Sequence, residues 1–96
     1  MELHQLLDRV QDRASFFDFV RQLVLDREQA AKLETANPSS PYGPDAGGWE
    51  NSSIATYLDA ALGWAEDTEM GTTQGLSTVP SWKEFATFLY VGKIYE

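Results

Sequence analysis

The sequence predicts an all-α protein, a small single-domain helical bundle of three to four helices with two long loops. Apolar residues recur at intervals of three and four in both halves of the chain, which is the spacing of one helix face. No alternating strand pattern and no internal repeat accompany them. Because 96 residues is the length of one domain, we expect residues 1–96 to fold as a unit.

Two apolar stretches near the start of the chain indicate two helices, or one bent helix. Ser15 lies at the start of the second stretch with Asp18 three positions later, and this pair resembles a capping box. We therefore expect a helix N-terminus at Ser15. The apolar positions are Leu3, Leu6, Leu7 and Val10 in the first stretch, and Phe16, Phe19, Val20, Leu23 and Val24 in the second.

Residues 35–48 interrupt the helical pattern. They hold three of the four prolines and three of the seven glycines. Proline fixes φ and lacks an amide donor, so neither a helix nor a central strand fits this composition. We expect a mobile loop here. A second connection, rich in glycine and threonine, runs from Thr68 to Pro80.

The strongest periodicity in the chain predicts the third helix. Asn51, Ser52 and Ser53 precede it, and each is a residue type that caps helix N-termini. Its apolar positions form one stripe, which we expect to face the core. The stripe consists of Ile54, Tyr57, Leu58, Ala61, Leu62 and Ala65.

The last helix begins with a capping box, Ser81 followed by Glu84 three residues later. Its apolar residues cover most of the circumference, which is typical of the central helix of a bundle. They are Trp82, Phe85, Ala86, Phe88, Leu89, Val91, Ile94 and Tyr95.

The inventory of reactive groups argues against an enzyme. Cysteine is absent, the one histidine is His4 near the chain start, and no glycine-rich phosphate motif occurs. We predict no catalytic residue, no cofactor and no metal site. The remaining acid/base or metal-ligand candidates are Glu50, Asp59, Glu66, Asp67 and Glu69, and their spacing does not match a calcium loop.

The chain is strongly acidic, with a net charge of -8. Only two of the seven basic residues, but eight of the fifteen acidic ones, lie after residue 34. Such a surface repels phosphate backbones and anionic lipids, so we expect neither a nucleic-acid nor a membrane partner. It attracts a basic protein partner. Since no signal peptide is evident either, we expect a cytoplasmic protein.

Aromatic residues mark the predicted helix ends of the C-terminal half in a fixed order. The motifs are Trp49-Glu50-Asn51, Trp64 with Asp67, Pro80-Ser81-Trp82-Lys83 with Phe85-Ala86, and Ile94-Tyr95-Glu96. This ordered series resembles a family of short bacterial proteins of unknown function with the pattern W-E-N, W-x-x-D, P-S-W-K-x-F-A and a terminal Y-E. The resemblance covers residues 15–96 and implies a bacterial source and a helical domain, with no established activity. Glu69-Met70-Gly71 replaces a more aromatic stretch of that pattern.

These motif residues also have physical interpretations. We expect Trp49 to pack back onto the bundle and Asn51 to cap the third helix. Asp67 is expected to accept hydrogen bonds from an indole or from the loop backbone.

The last two residues invite a separate hypothesis. A negative residue at a helix C-terminus is unfavourable, so Tyr95 and Glu96 need a docking site. Lys83, Arg21 or a partner protein are the candidates.

Two function hypotheses follow. The favoured one is a non-enzymatic protein-protein interaction module with an acidic face, of which an immunity-type protein that neutralises a toxin is one form. The alternative is a small-ligand or metal-binding helical domain built where Trp49, Trp64, Trp82 and Asp67 converge. Self-association is also consistent with the sequence, since a single buried stripe on each helix leaves the apolar residues Phe17, Leu25 and Val91 available for an exposed patch. The interaction or pocket candidates are Trp49, Glu50, Asn51, Trp64, Asp67, Trp82, Tyr95 and Glu96.

Overall fold

The computed structural model describes residues 2–36 and 46–95. It contains four α-helices: α1 (Leu3–Asp8), α2 (Arg13–Ala36), α3 (Ile54–Asp67) and α4 (Trp82–Ile94). Short turns of 3₁₀ helix, Ala46–Gly48 and Thr72–Gln74, precede and follow α3. The described residues contain no β-strand, and none of the four helices is long and apolar enough to cross a membrane. The predicted all-α bundle is confirmed.

The two N-terminal helices are separate, and α2 begins earlier than the sequence suggested. The Ser15 amide donates to Asp12 Oδ1 at 2.9 Å, and the Asp12 amide donates to Ser15 Oγ at 3.1 Å. Asp12 therefore caps α2, with Ser15 as the reciprocal partner three residues on. The expected Ser15 and Asp18 pair is wrong, because Asp18 instead forms a surface ion pair with Arg21 at 2.9 Å.

The segment between α2 and α3 is partly described. α2 includes Thr35 and Ala36, which the sequence had assigned to the loop. The predicted mobile loop of residues 35–48 falls mainly on residues 37–45, which lie outside the described residues. Gly47 has φ 79°, and a Cβ built there would lie 3.1 Å from the Ala30 Cβ. Glycine thus lets the chain re-enter close against α2.

Helix α4 is the central helix, as predicted. It packs against each of the other three helices. Ala86 on α4 is fully buried, and a Cβ at Gly92 would meet the Tyr57 ring at 2.8 Å. Small residues therefore bring α3 and α4 into close contact. One buried hydrophobic cluster consists of Val10, Phe19, Leu23, Ala30, Trp49 and Ala86.

The buried face of α3 agrees with the predicted stripe at Tyr57 and Ala61 but not at its large aliphatic residues. Its buried residues are Ala60, Ala61 and Trp64. The large Trp64 and Tyr57 rings turn toward the core, while the two alanines make room for neighbouring elements. The adjoining side of the helix carries an exposed apolar row, named here the α3 ridge. The α3 ridge consists of Ile54, Leu58 and Leu62, whose exposed fractions are 81%, 49% and 50%.

Candidate functional site

Trp49 anchors the segment before α3 onto two helices. Its indole Nε1 donates to Asp26 Oδ2 of α2 at 2.8 Å. Lys93 Nζ of α4 donates to the same oxygen, also at 2.8 Å. One carboxylate therefore joins three parts of the chain, and we name Trp49, Asp26 and Lys93 the Trp49 node.

Cations flank the indole of the Trp49 node. The Arg27 guanidinium carbon lies 5.4 Å from the ring centroid, and Lys93 Nζ lies 5.5 Å from it. Positive charge over an indole face is attracted by the ring quadrupole. The ring is held by this attraction as well as by its hydrogen bond, so its orientation is strongly defined.

The two residues after Trp49 bind the C-terminal end of α4. The Glu50 amide donates to the Lys93 carbonyl at 2.9 Å. Asn51 Nδ2 donates to the carbonyls of Gly92 at 3.1 Å and Tyr95 at 2.7 Å. The last carbonyls of a helix lack intrahelical partners, so these bonds satisfy groups that the helix itself cannot.

Asn51 is consequently not the cap of α3, and that expectation is wrong. The cap is Ser53, another of the three candidates, whose Oγ accepts from the Thr56 amide at 3.2 Å. Asn51 is two residues too early to reach the first amides of α3. Its side chain points to α4 instead.

A cavity of about 300 Å³ lies between α2 and the start of α3, beside the Trp49 node. Trp49 and Leu23 are buried and form its floor, whereas Val24 and Ile54 are exposed and form its rim. Polar residues Arg27, Glu28, Asn51, Ser52 and Ser53 also line it. We name the apolar part the α2–α3 groove, which consists of Leu23, Val24, Trp49, Ile54 and Tyr57.

The α2–α3 groove continues into the α3 ridge. Ile54 belongs to both, and Leu58 and Leu62 follow at one-turn intervals on the same side of the helix. Asp59 and Glu66 are exposed on the neighbouring side of α3. Glu28 is exposed on α2 and lines the other edge of the groove. The combined apolar surface is therefore bordered by carboxylates.

Tyr57 supports the groove from α3. Its hydroxyl donates to the Leu89 carbonyl at 2.6 Å, and its ring centroid lies 6.0 Å from that of Trp49. Burial raises the pKa of Tyr57 to about 12. The phenol thus stays protonated and keeps its bond to α4 well above neutral pH.

Trp82 lies in a second apolar region. Its ring centroid is 5.3 Å from that of Phe16 and 6.0 Å from that of Phe85. Phe16 and Phe85 also line a cavity of about 420 Å³ together with Met70. This second apolar region consists of Phe16, Met70, Trp82 and Phe85.

Three apolar residues were expected to lie outside a single buried stripe. Of these, Phe17 and Leu25 are exposed and Val91 is partly buried.

Trp64 binds the connection after α3, and Asp67 binds the residue that follows α4. Trp64 Nε1 donates to Gln74 Oε1 at 2.9 Å. Asp67 accepts a hydrogen bond from the Tyr95 hydroxyl at 2.7 Å, which raises the pKa of Tyr95. The donor to Asp67 is therefore neither an indole nor the loop backbone. Tyr95 docks on the end of α3 rather than on Lys83 or Arg21, and Glu96 lies outside the described residues.

The expected convergence of the three tryptophans is not observed. Trp82 begins α4, whereas the Trp49 ring lies beside Lys93 near its end. The eleven residue steps between Trp82 and Lys93 span about 16 Å. No ring contact joins two tryptophans in the part of the chain that the structure describes. Across those residues, no group of three or more histidine, aspartate or glutamate side chains is placed to hold a metal ion.

Sequence reasoning identified Trp49 and Asn51 but missed their partners. Asp26 and Lys93 were not singled out, and neither were the groove residues Leu23 and Val24 except as core positions. The Asp26 and Lys93 side chains meet across 67 residues of sequence. No local sequence pattern predicts such a contact, so only the fold could reveal it.

Most of the chain matches a known protein family. The sequence profile of DUF7660, described as a family of unknown function, matches residues 12–96. The chain belongs to this family. The DUF7660 match starts at Asp12, the cap of α2, and includes the Trp49 node, the α2–α3 groove and the α3 ridge. The expected membership of a family of unknown function is confirmed, and a bacterial source stays a prediction. Comparisons with curated proteins and with solved structures gave no match.

Proposed function

We propose that this DUF7660 domain is a non-enzymatic protein-interaction module that binds its partner through the α2–α3 groove and the α3 ridge. The observation that carries the proposal is the exposure of a continuous apolar row. Ile54 is 81% exposed, and Val24 beside it is 52% exposed. A contiguous apolar surface rimmed by polar residues is typical of a protein-binding site.

The floor of the groove is held rigidly. Trp49 is only 4% exposed and is tied to Asp26, while Tyr57 is tied to the Leu89 carbonyl. A surface that is already ordered loses little conformational entropy on binding. The groove is therefore suited to recognising a partner without rearrangement.

Charge favours a basic protein as the partner. The chain carries a net charge of -8, and Glu28, Asp59 and Glu66 border the apolar surface. Long-range attraction accelerates encounter with a positively charged protein, and the apolar contact then supplies most of the affinity. Neutralisation of a basic toxin by an immunity-type protein is one specific form of this function.

The test is affinity purification from the host with matched variants. The ridge variant Leu58→Gln/Leu62→Gln is compared with the control variant Leu25→Gln/Leu33→Gln, which changes two exposed leucines of α2 outside the groove. We expect the wild type and the control to retain the same partner protein. The amount retained by the ridge variant should be lower by about tenfold or more.

Circular dichroism and thermal unfolding establish that both variants fold. Equal retention on the ridge variant, or nothing retained by any of the proteins, contradicts the proposal.

A small apolar ligand is the second candidate. The volume of about 300 Å³ and the apolar lining favour it, since ligand pockets begin near this size. Its site is the α2–α3 groove alone, without Trp64 or Trp82. A compound that raises the melting temperature of the wild type and of the ridge variant, but not of Val24→Gln, supports ligand binding. Loss of a protein partner from the ridge variant supports the first proposal, because Leu58 and Leu62 do not line the cavity.

A further inference from the structure

We infer that the partner presents a single amphipathic helix, with one large apolar side chain in the α2–α3 groove and basic residues on both flanks of its apolar face. This inference rests on the proposed function and specifies the partner of the same surface.

The shape of the surface points to a helix. The α3 ridge runs from Ile54 to Leu62, nine residues that span about 12 Å along the helix axis. A cavity lies at the Ile54 end, and the other two ridge residues follow at one-turn intervals. A partner helix matches this layout if one side chain enters the cavity as an anchor. Apolar residues three to four and seven positions after that anchor would then contact the ridge.

Other modes of peptide recognition fit less well. Strand addition requires an exposed sheet edge, and the described residues contain no strand. Polyproline ligands dock between accessible aromatic rings, whereas Trp49 is buried and its indole N–H already donates to Asp26. The exposed apolar lining is instead aliphatic, from Val24 and Ile54.

The charges on the two sides of the surface specify the flanks. Glu28 borders the groove on α2, and Asp59 and Glu66 border the ridge on α3. Among the residues that line the cavity, Arg27 is the one base, and its guanidinium lies over the Trp49 ring. Lysine or arginine beside the apolar face of a partner helix would therefore meet carboxylates on both sides.

The test uses three synthetic peptides, each about five helical turns long. One is an amphipathic leucine and lysine helix, the second replaces each lysine by glutamate, and the third is the leucine and lysine composition scrambled out of helical spacing. Binding to the ¹⁵N-labelled full chain is followed by amide chemical shifts. We expect the first peptide to shift the amides of Val24, Ile54, Leu58 and Leu62 and to bind at least about tenfold more tightly than the other two.

Variants of the domain separate the apolar from the charged contribution. Leu58→Gln/Leu62→Gln should weaken binding of the leucine and lysine peptide about tenfold, and Leu25→Gln/Leu33→Gln should leave it unchanged. Asp59→Asn/Glu66→Gln should weaken it about threefold and reduce its salt dependence. The matched control Asp8→Asn/Asp18→Asn removes the same net charge from exposed sites outside the groove and should have a smaller effect.

Each contrary result overturns a defined part of the inference. Equal binding of the glutamate peptide overturns the basic flanks, and equal binding of the scrambled peptide overturns the helix. Absence of binding by all three peptides, or equal effects of the two charge variants, overturns the inference as well. The host purification does not assume a helical partner, so a protein lost only from the ridge variant would still support the interaction function.

Discussion

Trp49 Nε1 and Asp26 Oδ2 lie 2.8 Å apart, although 23 residues separate them in sequence. Lys93 Nζ lies 2.8 Å from the same oxygen, and the side chains of Lys93 and Asp26 are only 12% and 32% exposed. Hydrogen bonds that involve charged groups are stronger than neutral ones, and partial burial limits their screening by solvent. This carboxylate therefore positions α2, α4 and the floor of the α2–α3 groove relative to one another.

Replacement of Asp26 should destabilise the fold measurably. Asp26→Asn removes the charge that Lys93 requires and weakens both hydrogen bonds to the shared oxygen, so we expect the free energy of unfolding to fall by about 1–3 kcal/mol. Trp49→Phe removes the indole donor and retains an aromatic ring. The double variant should lose less than the sum of the two single variants, because both changes break the same contact.

Urea unfolding followed by circular dichroism measures these values. Asp18→Asn is the control, since the Asp18 and Arg21 side chains are largely exposed and their pair should contribute less than about 1 kcal/mol. Additive losses, or an Asp26 effect no larger than that of Asp18, would show that the Trp49 node does not couple the helices.

A second quantitative prediction concerns the contribution of the Asn51 side chain to stability. Its amide satisfies two carbonyls at the end of α4, so Asn51→Ala should lower the free energy of unfolding by about 1–3 kcal/mol. Amide hydrogen exchange should accelerate in the last turn of α4 before it does so elsewhere. The adjacent and exposed Ser52 provides a control, and Ser52→Ala should stay within about 0.5 kcal/mol. A uniform change in exchange along the chain would contradict the assigned role.

Helix α4 shows how much of the fold can be read from this sequence. Ser81 Oγ accepts from the Glu84 amide at 3.1 Å, which is the Ser81 half of the predicted capping box. The apolar residues around most of its circumference correctly identified the central helix. Both signals are local, because a cap spans three residues and the apolar pattern spans one helix.

Helix α3 shows why the remaining features could not be predicted. Its periodicity identified a helix correctly, but two apolar faces competed for the core. The structure buries the face with Trp64 and Tyr57 and exposes Leu58 and Leu62, since the close approach of Tyr57 to Gly92 fixes the rotation. That choice depends on a residue of another helix. The α3 ridge, and with it the candidate site, follows from tertiary packing alone.

The turn after α3 yields a prediction on backbone conformation. Glu69, Met70 and Gly71 have φ values of 51°, 58° and 84°, so three consecutive residues are left-handed. A Cβ at Gly71 would lie 3.0 Å from the Trp64 ring and would overlap Leu76 Cδ1. Gly75 has φ 96°, but nothing lies within 4 Å of a Cβ built there. The two glycines therefore differ in crowding and share a positive φ.

Alanine at each glycine separates these two effects. Gly75→Ala should cost about 1–2 kcal/mol, which is the cost of a left-handed conformation for a residue with a Cβ. Gly71→Ala should cost more by about 1–3 kcal/mol, because Trp64 or Leu76 must also move. Chemical denaturation of both variants tests this difference, and equal losses would show that crowding around Trp64 is unimportant.

The raised pKa of Tyr57 predicts how the stability of the fold depends on pH under alkaline conditions. Burial raises its pKa to about 12 in the folded protein, whereas an unfolded tyrosine ionises near pH 10. The folded state therefore holds the phenolic proton more tightly. The resulting stabilisation is fully present below about pH 10 and is lost as the pH rises from about 10 through about 12.

Tyr57→Phe isolates this contribution, since phenylalanine cannot ionise. At neutral pH the variant should be less stable than the wild type by about 0.5–1.5 kcal/mol, because the hydrogen bond to the Leu89 carbonyl is lost. The difference should shrink as the pH rises above about 10 and reverse as it approaches about 12, since ionisation stabilises the unfolded state of the wild type only. Urea unfolding of both proteins between about pH 9 and about pH 12 measures it, and a constant difference would mean that the buried Tyr57 hydroxyl is not linked to folding.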